Sequence, residues 1–209
     1  MARGRFISLE GGEGAGKSTQ LTALAAALEG RGIGVIVTRE PGGSPGAEAI
    51  RALLLEGDDG RWNPRAEALL FAAARSDHVD KTIRPALDRG MWVLSDRFLD
   101  SSLAYQGEAG GLGMEAVRDL HRFGSQDFLP DRTLVLSLDE AEGAARARVR
   151  DGSAGDRIGS RPPSYHAAVE AGFRTMAANE PGRVKLIDAS GSAATVTARL
   201  LYALGDLLP

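Results

Sequence analysis

The sequence contains no cysteine. Disulfides, thiolate catalysis and thiolate metal sites are therefore excluded, and the redox compartment is left open. No stretch approaches the roughly 18 apolar residues that a membrane-spanning helix needs. Neither sign of charge is in large excess: 25 Lys and Arg against 28 Asp and Glu leave a net charge of -3. No general attraction to nucleic acid or to an anionic membrane is expected, so any anion site must be built locally. Internal repeats and low-complexity tracts are also absent. The opening MARGRFISLEGGEGAGKST has only a short apolar run that leads straight into a glycine loop, unlike a secretory signal. A cytoplasmic location is expected. What is present is ordinary for a globular chain: 209 residues, 43% hydrophobic. That is enough for a sizeable core and for one domain over residues 1–209, with a small lid at about 146–162.

Short apolar runs alternate with helical patterns. RFISLE (5–10), GVIVT (34–38), MWVLS (91–95), TLVLSL (133–138) and Val184 to Ile187 read as strands. Helices are expected over 17–31, 45–55, 64–87, 99–108, 114–126, 139–149, 164–179 and 193–208. Ser44-Pro45 and Asn63-Pro64 each pair a capping side chain with proline in the first turn. Pro85 should bend or end the third helix. Five strands alternating with helices imply an α/β fold, a parallel sheet covered on both faces. Its site should lie at the carboxyl ends of the strands.

One motif stands out there. Gly11, Gly12, Glu13, Gly14, Ala15, Gly16, Lys17 and Ser18 match G-x-x-x-x-G-K-[ST] in full, between a strand and a helix. Glycines let successive backbone N–H groups turn onto phosphate oxygens, and the helix N-terminus adds its dipole. Lys17 is expected to reach the outer phosphates of ATP and Ser18 to ligate Mg²⁺. Thr19 reads equally as a contact to the inner phosphate or as a plain helix residue. The motif specifies a nucleoside triphosphate, not what is done with it.

Other candidates follow the second and third strands. Phe71 and Arg75 are four apart, so they share a helix face. An aromatic plane beside a fork of donors suits a flat base with carbonyl oxygens. On residue types alone, a core Phe with a solvated Arg is the stronger reading. Together with the phosphate loop, however, REPGG (39–43), LFAAAR (70–75) and above all DRFLDSSLAYQG (96–107) resemble bacterial thymidylate kinase over nearly the whole chain.

That resemblance implies a three-layer P-loop NTPase fold with a short arginine-rich lid, and transfer of the γ-phosphoryl of ATP to dTMP. It implies that Phe71 stacks on thymine and that Arg75 bonds a thymine carbonyl. Ser102 and Gln106 would line the base, and Tyr105 would crowd the sugar 2′ position. Arg51 would help hold the acceptor phosphate. Glu13 would meet the acceptor's 3′-hydroxyl, and Glu40, before a Pro41 that is a cis candidate, would lie near the acceptor sugar and phosphate. Arg97 is read as the clamp on the acceptor phosphate, since its planar fork binds phosphate bidentately. Asp96 would hold the Mg²⁺ shell or orient Arg97. The loop holds no arginine at 12–15, so the transferring charge would come from the lid. Arg150 is the expected finger, with Arg146 near adenine. The chain departs from the family pattern at Gly159, Ala168 and Glu170. A homodimer is also implied. A guanine-reading switch is disfavoured because no N-K-x-D motif is present; Asp80-Lys81-Thr82 does not supply one.

Overall fold

The computed structural model describes residues 3–12, 14–58, 60–138, 158–159 and 161–209. Five strands form one sheet: β1 (Phe6–Gly11), β2 (Val35–Arg39), β3 (Trp92–Asp96), β4 (Arg132–Ser137) and β5 (Val184–Asp188). Every pairing is parallel and the order is β2-β3-β1-β4-β5. The phosphate loop thus leaves the central strand, and the loops after β3 and β2 lie to one side of it.

Alternation along the strands divides the core. Phe6, Val93, Val135 and Val184 face one layer with Phe98, Leu103, Val79 and Phe173. Ile7, Leu9, Leu94, Leu134 and Leu136 face the other with Leu21, Leu24, Leu28 and Leu200. Each fully buried Leu or Phe contributes about 1.5–3 kcal/mol. Ser8 and Glu10 share the Phe6 face and are completely buried, so the sheet carries a polar seam directly beneath the site.

The helices α1 (Lys17–Glu29) and α2 (Pro45–Leu55) start where expected. Ser44 Oγ accepts from Ala47 N, and at α3 (Pro64–His78) Asn63 Oδ1 accepts from Ala66 N at 3.0 Å. The single long helix expected to residue 87 is resolved into three pieces. After α3 comes a π-helical turn, Val79–Ile83, and then α4 (Arg84–Asp88). Pro85 has no N–H and would clash with the carbonyl one turn back; the widened turn takes up both. The helix expected over 99–108 is likewise a short α5 (Leu99–Ser102) followed by a π-helical segment, Leu103–Ala109. A segment this short shows no periodicity in sequence. The remaining helices are α6 (Met114–Ser125), α7 (Pro163–Asn179) and α8 (Ala193–Ala203). The last ends before the expected 208. The helix expected over 139–149, and Arg146, Arg148, Arg150, Arg157, Gly152 and Gly155 of the lid, lie outside the described residues. Among the described residues no helix is long and apolar enough to cross a membrane.

Candidate functional site

A cavity of about 280 Å³ opens at the carboxyl ends of β1, β2 and β3. Gly16, Lys17, Ser18 and Thr19 form one wall. Glu40, Pro41, Arg51, Phe71 and Arg75, and Asp96, Arg97, Ser102, Tyr105 and Gln106 from the segment after β3, line the rest. Gly11 and Gly12 border a separate, smaller cleft. Glu13 is outside the described residues.

The loop geometry follows from its glycines. Gly11, Gly14 and Gly16 have φ of 131°, 73° and 85°, values that L side chains resist. At Gly11 a Cβ would also stand 2.4 Å from the Leu136 carbonyl oxygen. Lys17 Nζ donates to the carbonyls of Gly11 at 3.1 Å and Gly12 at 2.8 Å, which holds its ammonium over the loop. Ser18 Oγ donates to Asp96 Oδ2 at 3.3 Å, and Asp96 Oδ1 is buried with no hydrogen-bond partner among the described residues. A hydroxyl beside an unsatisfied carboxylate oxygen is the oxygen-donor set of a hard cation. Mg²⁺ in particular takes one or two carboxylates and fills its shell with water and phosphate. No group of three His, Cys, Asp or Glu suited to a metal occurs among the described residues.

Arg97 has φ 70°, unusual for a residue with a side chain. The conformation is pinned on both sides: its N–H donates to Leu9 O at 2.9 Å and its carbonyl accepts from Ser95 Oγ at 2.7 Å. The turn aims the guanidinium across the cavity. Its Nη1 donates to Gly11 O at 3.2 Å and to Ser101 Oγ at 3.1 Å, and the group lies 5.0 Å from the centre of the Tyr105 ring.

Behind it stands Glu10, which sequence reading passed over. Its carboxyl group accepts from Ser8 Oγ and Ser101 Oγ, both at 2.5 Å, and from Phe98 N at 2.7 Å. Burial, then the charge of Asp100, pushes its pKa from 4.5 up to about 7. Asp100 is itself fully buried. It accepts from Arg183 at 2.7 and 2.8 Å and from Thr133 Oγ1 at 2.7 Å.

Phe71 is half-buried on the cavity wall, and Arg75 faces the same space. Arg75 is only 3% exposed and is more committed than its sequence suggests. Nε donates to Glu40 Oε2 at 2.8 Å, and Nη2 to Ser102 Oγ at 2.8 Å and Phe98 O at 3.2 Å. Glu40 Oε1 takes its bond from His78 Nδ1 at 3.0 Å. A carboxylate accepts, so the Nδ1 proton is the donor, and Nε2 meets Thr38 Oγ1 at 2.8 Å. Burial alone would raise Glu40; Arg75 and His78 hold it below the ordinary 4.5. Glu40 thus orders the wall, with both oxygens engaged, and lines the cavity beside Pro41. The Glu40–Pro41 bond is cis. Arg51 Nη1 donates to Pro41 O at 2.7 Å. His78 and Glu67 were also missed, although Glu67, Phe71 and Arg75 recur every four residues and so share one helix face.

The family model described as thymidylate kinase matches residues 9–200. A thymidylate kinase of Rhizorhabdus wittichii is 61% identical over 99% of both chains. One of Afipia carboxidovorans is 50% identical over 95% of this chain and 87% of its own. Among solved structures, a crystal structure of thymidylate kinase from Ehrlichia chaffeensis superposes with a TM-score of 0.76 at 30% identity, covering 97% of this chain and 99% of that one.

Proposed function

The chain belongs to the thymidylate kinase family, and we propose that the cavity between Lys17 and Phe71 is where it moves the γ-phosphoryl of ATP onto dTMP, giving dTDP and ADP. The observation that carries this placement is the position of Arg97, in contact with the phosphate loop through Gly11 and lining the same cavity as Phe71 and Arg75. Two anions must meet head to head, and a guanidinium that touches the phosphate loop and lines the same cavity suits their junction.

The acceptor phosphate is already an anionic nucleophile, so no strong general base is required. Positioning and charge neutralisation do the work. Main-chain N–H groups of residues 11–18 cradle the donor phosphates and Lys17 reaches the outer ones. Arg97, with Arg51, holds the acceptor phosphate in line. Phe71 stacks on the base, Ser102 and Gln106 line its edge, and Tyr105 crowds the 2′ carbon. Arg75, locked by Glu40, presents what remains of its fork to the base. Ser18 and Asp96 would hold Mg²⁺, which would supply positive charge against the donor phosphates. Glu13 at the acceptor 3′-hydroxyl, Arg150 as the transferring charge and Arg146 at adenine complete the proposal. We place a homodimer contact on the face made by α2, α3 and α6, where Leu53, Leu69 and Phe123 are exposed; light scattering tests it.

Assays of the purified protein with Mg²⁺ and ATP across dTMP, dUMP, CMP, AMP and GMP test the substrate. Saturation transfer from Phe71 to the thymine ring tests the site. If dTDP forms but the Phe71 ring shows no transfer, the base lies elsewhere.

A further inference from the structure

Glu67 lies one helical turn before Phe71 on α3 and is 3% exposed. A carboxylate so placed has to be satisfied from within the protein. Arg161 Nη2 donates to both of its oxygens, at 3.0 and 2.7 Å, and Gln106 Nε2 donates to Oε1 at 3.0 Å. The same guanidinium lies 4.6 Å from the centre of the Tyr165 ring and bonds the Tyr165 hydroxyl, which donates to Tyr105 O at 2.7 Å. The turn that carries Gln106 is thus tied down at two adjacent residues.

The chemistry of the pair fixes an orientation. A carboxylate facing a guanidinium only accepts, so the atom that Gln106 turns toward Glu67 is its NH₂. Its carbonyl oxygen is the remaining end. That oxygen makes no side-chain hydrogen bond among the described residues, and Gln106 lines the cavity near Phe71.

We propose that Glu67 is a positioning residue for base selection, holding the Gln106 amide so that an acceptor faces the edge of a base stacked on Phe71. An imide N–H, as in thymine or uracil, satisfies that oxygen. A ring nitrogen with a lone pair, as in cytosine, sets two acceptors against each other. A site built to bond a polar group rejects analogues that lack it, because its own group is left unpaired. The inference rests on the placement of the base against Phe71.

The test uses 5-methyl-2′-deoxycytidine monophosphate, which keeps the ring and its methyl group but carries a lone pair where thymine has the imide N–H, and an amine in place of the neighbouring carbonyl. The wild-type protein is expected to favour dTMP over it by roughly 5- to 150-fold in kcat/KM, the cost of one unpaired buried acceptor. In Glu67→Gln the residue at 67 can donate as well as accept, so the amide of Gln106 loses its fixed sense, and the preference should shrink by about fivefold or more. The ratio is taken within one protein, so a loss of stability does not move it. An undiminished preference in Glu67→Gln overturns the proposal. A wild-type ratio near one does so too, even if Glu67→Gln fails to fold. If that ratio is near one while Phe71→Ala still raises KM for dTMP, the stacking site stands and only the role of Glu67 falls. If Phe71→Ala leaves KM unchanged, the site reading fails and this proposal with it.

Discussion

The guanidinium of Arg97 is moored to the phosphate loop itself, through a 3.2 Å bond to the carbonyl of Gly11. The donor and acceptor halves of the cavity are therefore not independent walls. A loop shaped for a triphosphate sets the position of the cation proposed to meet the monophosphate.

Replacing Arg97 by Ala should lower kcat/KM for dTMP by about 10²–10³, the usual cost of one preorganised charge donor. ATP affinity, measured by titration calorimetry, should stay within about twofold, because Lys17 and the main chain hold the donor. An equal fall in ATP affinity would move Arg97 to the donor side.

Chelation with EDTA should abolish turnover. Asp96→Asn should raise the Mg²⁺ concentration needed for half-maximal rate by about tenfold or more, since a neutral amide binds a hard cation less well than a carboxylate. An unchanged Mg²⁺ dependence in that variant would remove Asp96 from the metal shell.

Glu10 makes stability fall with rising pH. Its folded pKa is near 7 against an ordinary 4.5, so between these values the unfolded chain ionises first. Its favourable contribution is complete below about pH 4.5 and lost as pH climbs to about 7, on the order of 3 kcal/mol at most. Glu40 acts in the opposite sense. It is held below 4.5, so its contribution is present above that value and lost on acidification. Urea denaturation should show a shallower decline between pH 5 and 8 in Glu10→Gln than in the wild type. Parallel profiles would refute the buried-acid account.

Arg183→Met should cost about 3–5 kcal/mol by leaving the fully buried Asp100 unpaired. Asp100→Leu in the same chain should recover part of that loss. Thermal denaturation of the single and double variants measures it, and an additive loss would mean that the two residues do not act as a pair.

The layered sheet was legible because its strands, the partly exposed edge strands β2 and β5 included, read as short apolar runs, and the two serine/asparagine–proline caps mark helix starts that local chemistry alone determines. The phosphate loop was legible for the same reason: every residue in it answers to the residue beside it. Strand order was not, since nothing within RFISLE names its neighbours. Nor were Glu10, Glu67 and His78. Each has partners far along the chain that no local pattern names: Glu10 has Phe98 and Ser101 besides its neighbour Ser8, Glu67 has Gln106 and Arg161, and His78 has Thr38 and Glu40. A lone acid or histidine in an apolar setting announces only that it must be paired. Phe71 and Arg75 were found through the resemblance, because a Phe and an Arg on one helix face describe many cores.

The wide turn over Leu103–Ala109 holds one more residue than an ordinary helical turn would. Tyr105 and Gln106 sit within it, both buried and both lining the cavity. Deleting a single amino acid there would let the stretch relax to tighter winding and turn the side chains beyond the deletion by about 100° about the helix axis, with no change in the identity of any residue that lines the cavity. Spacing in this stretch therefore shapes the cavity as much as the identity of its residues does.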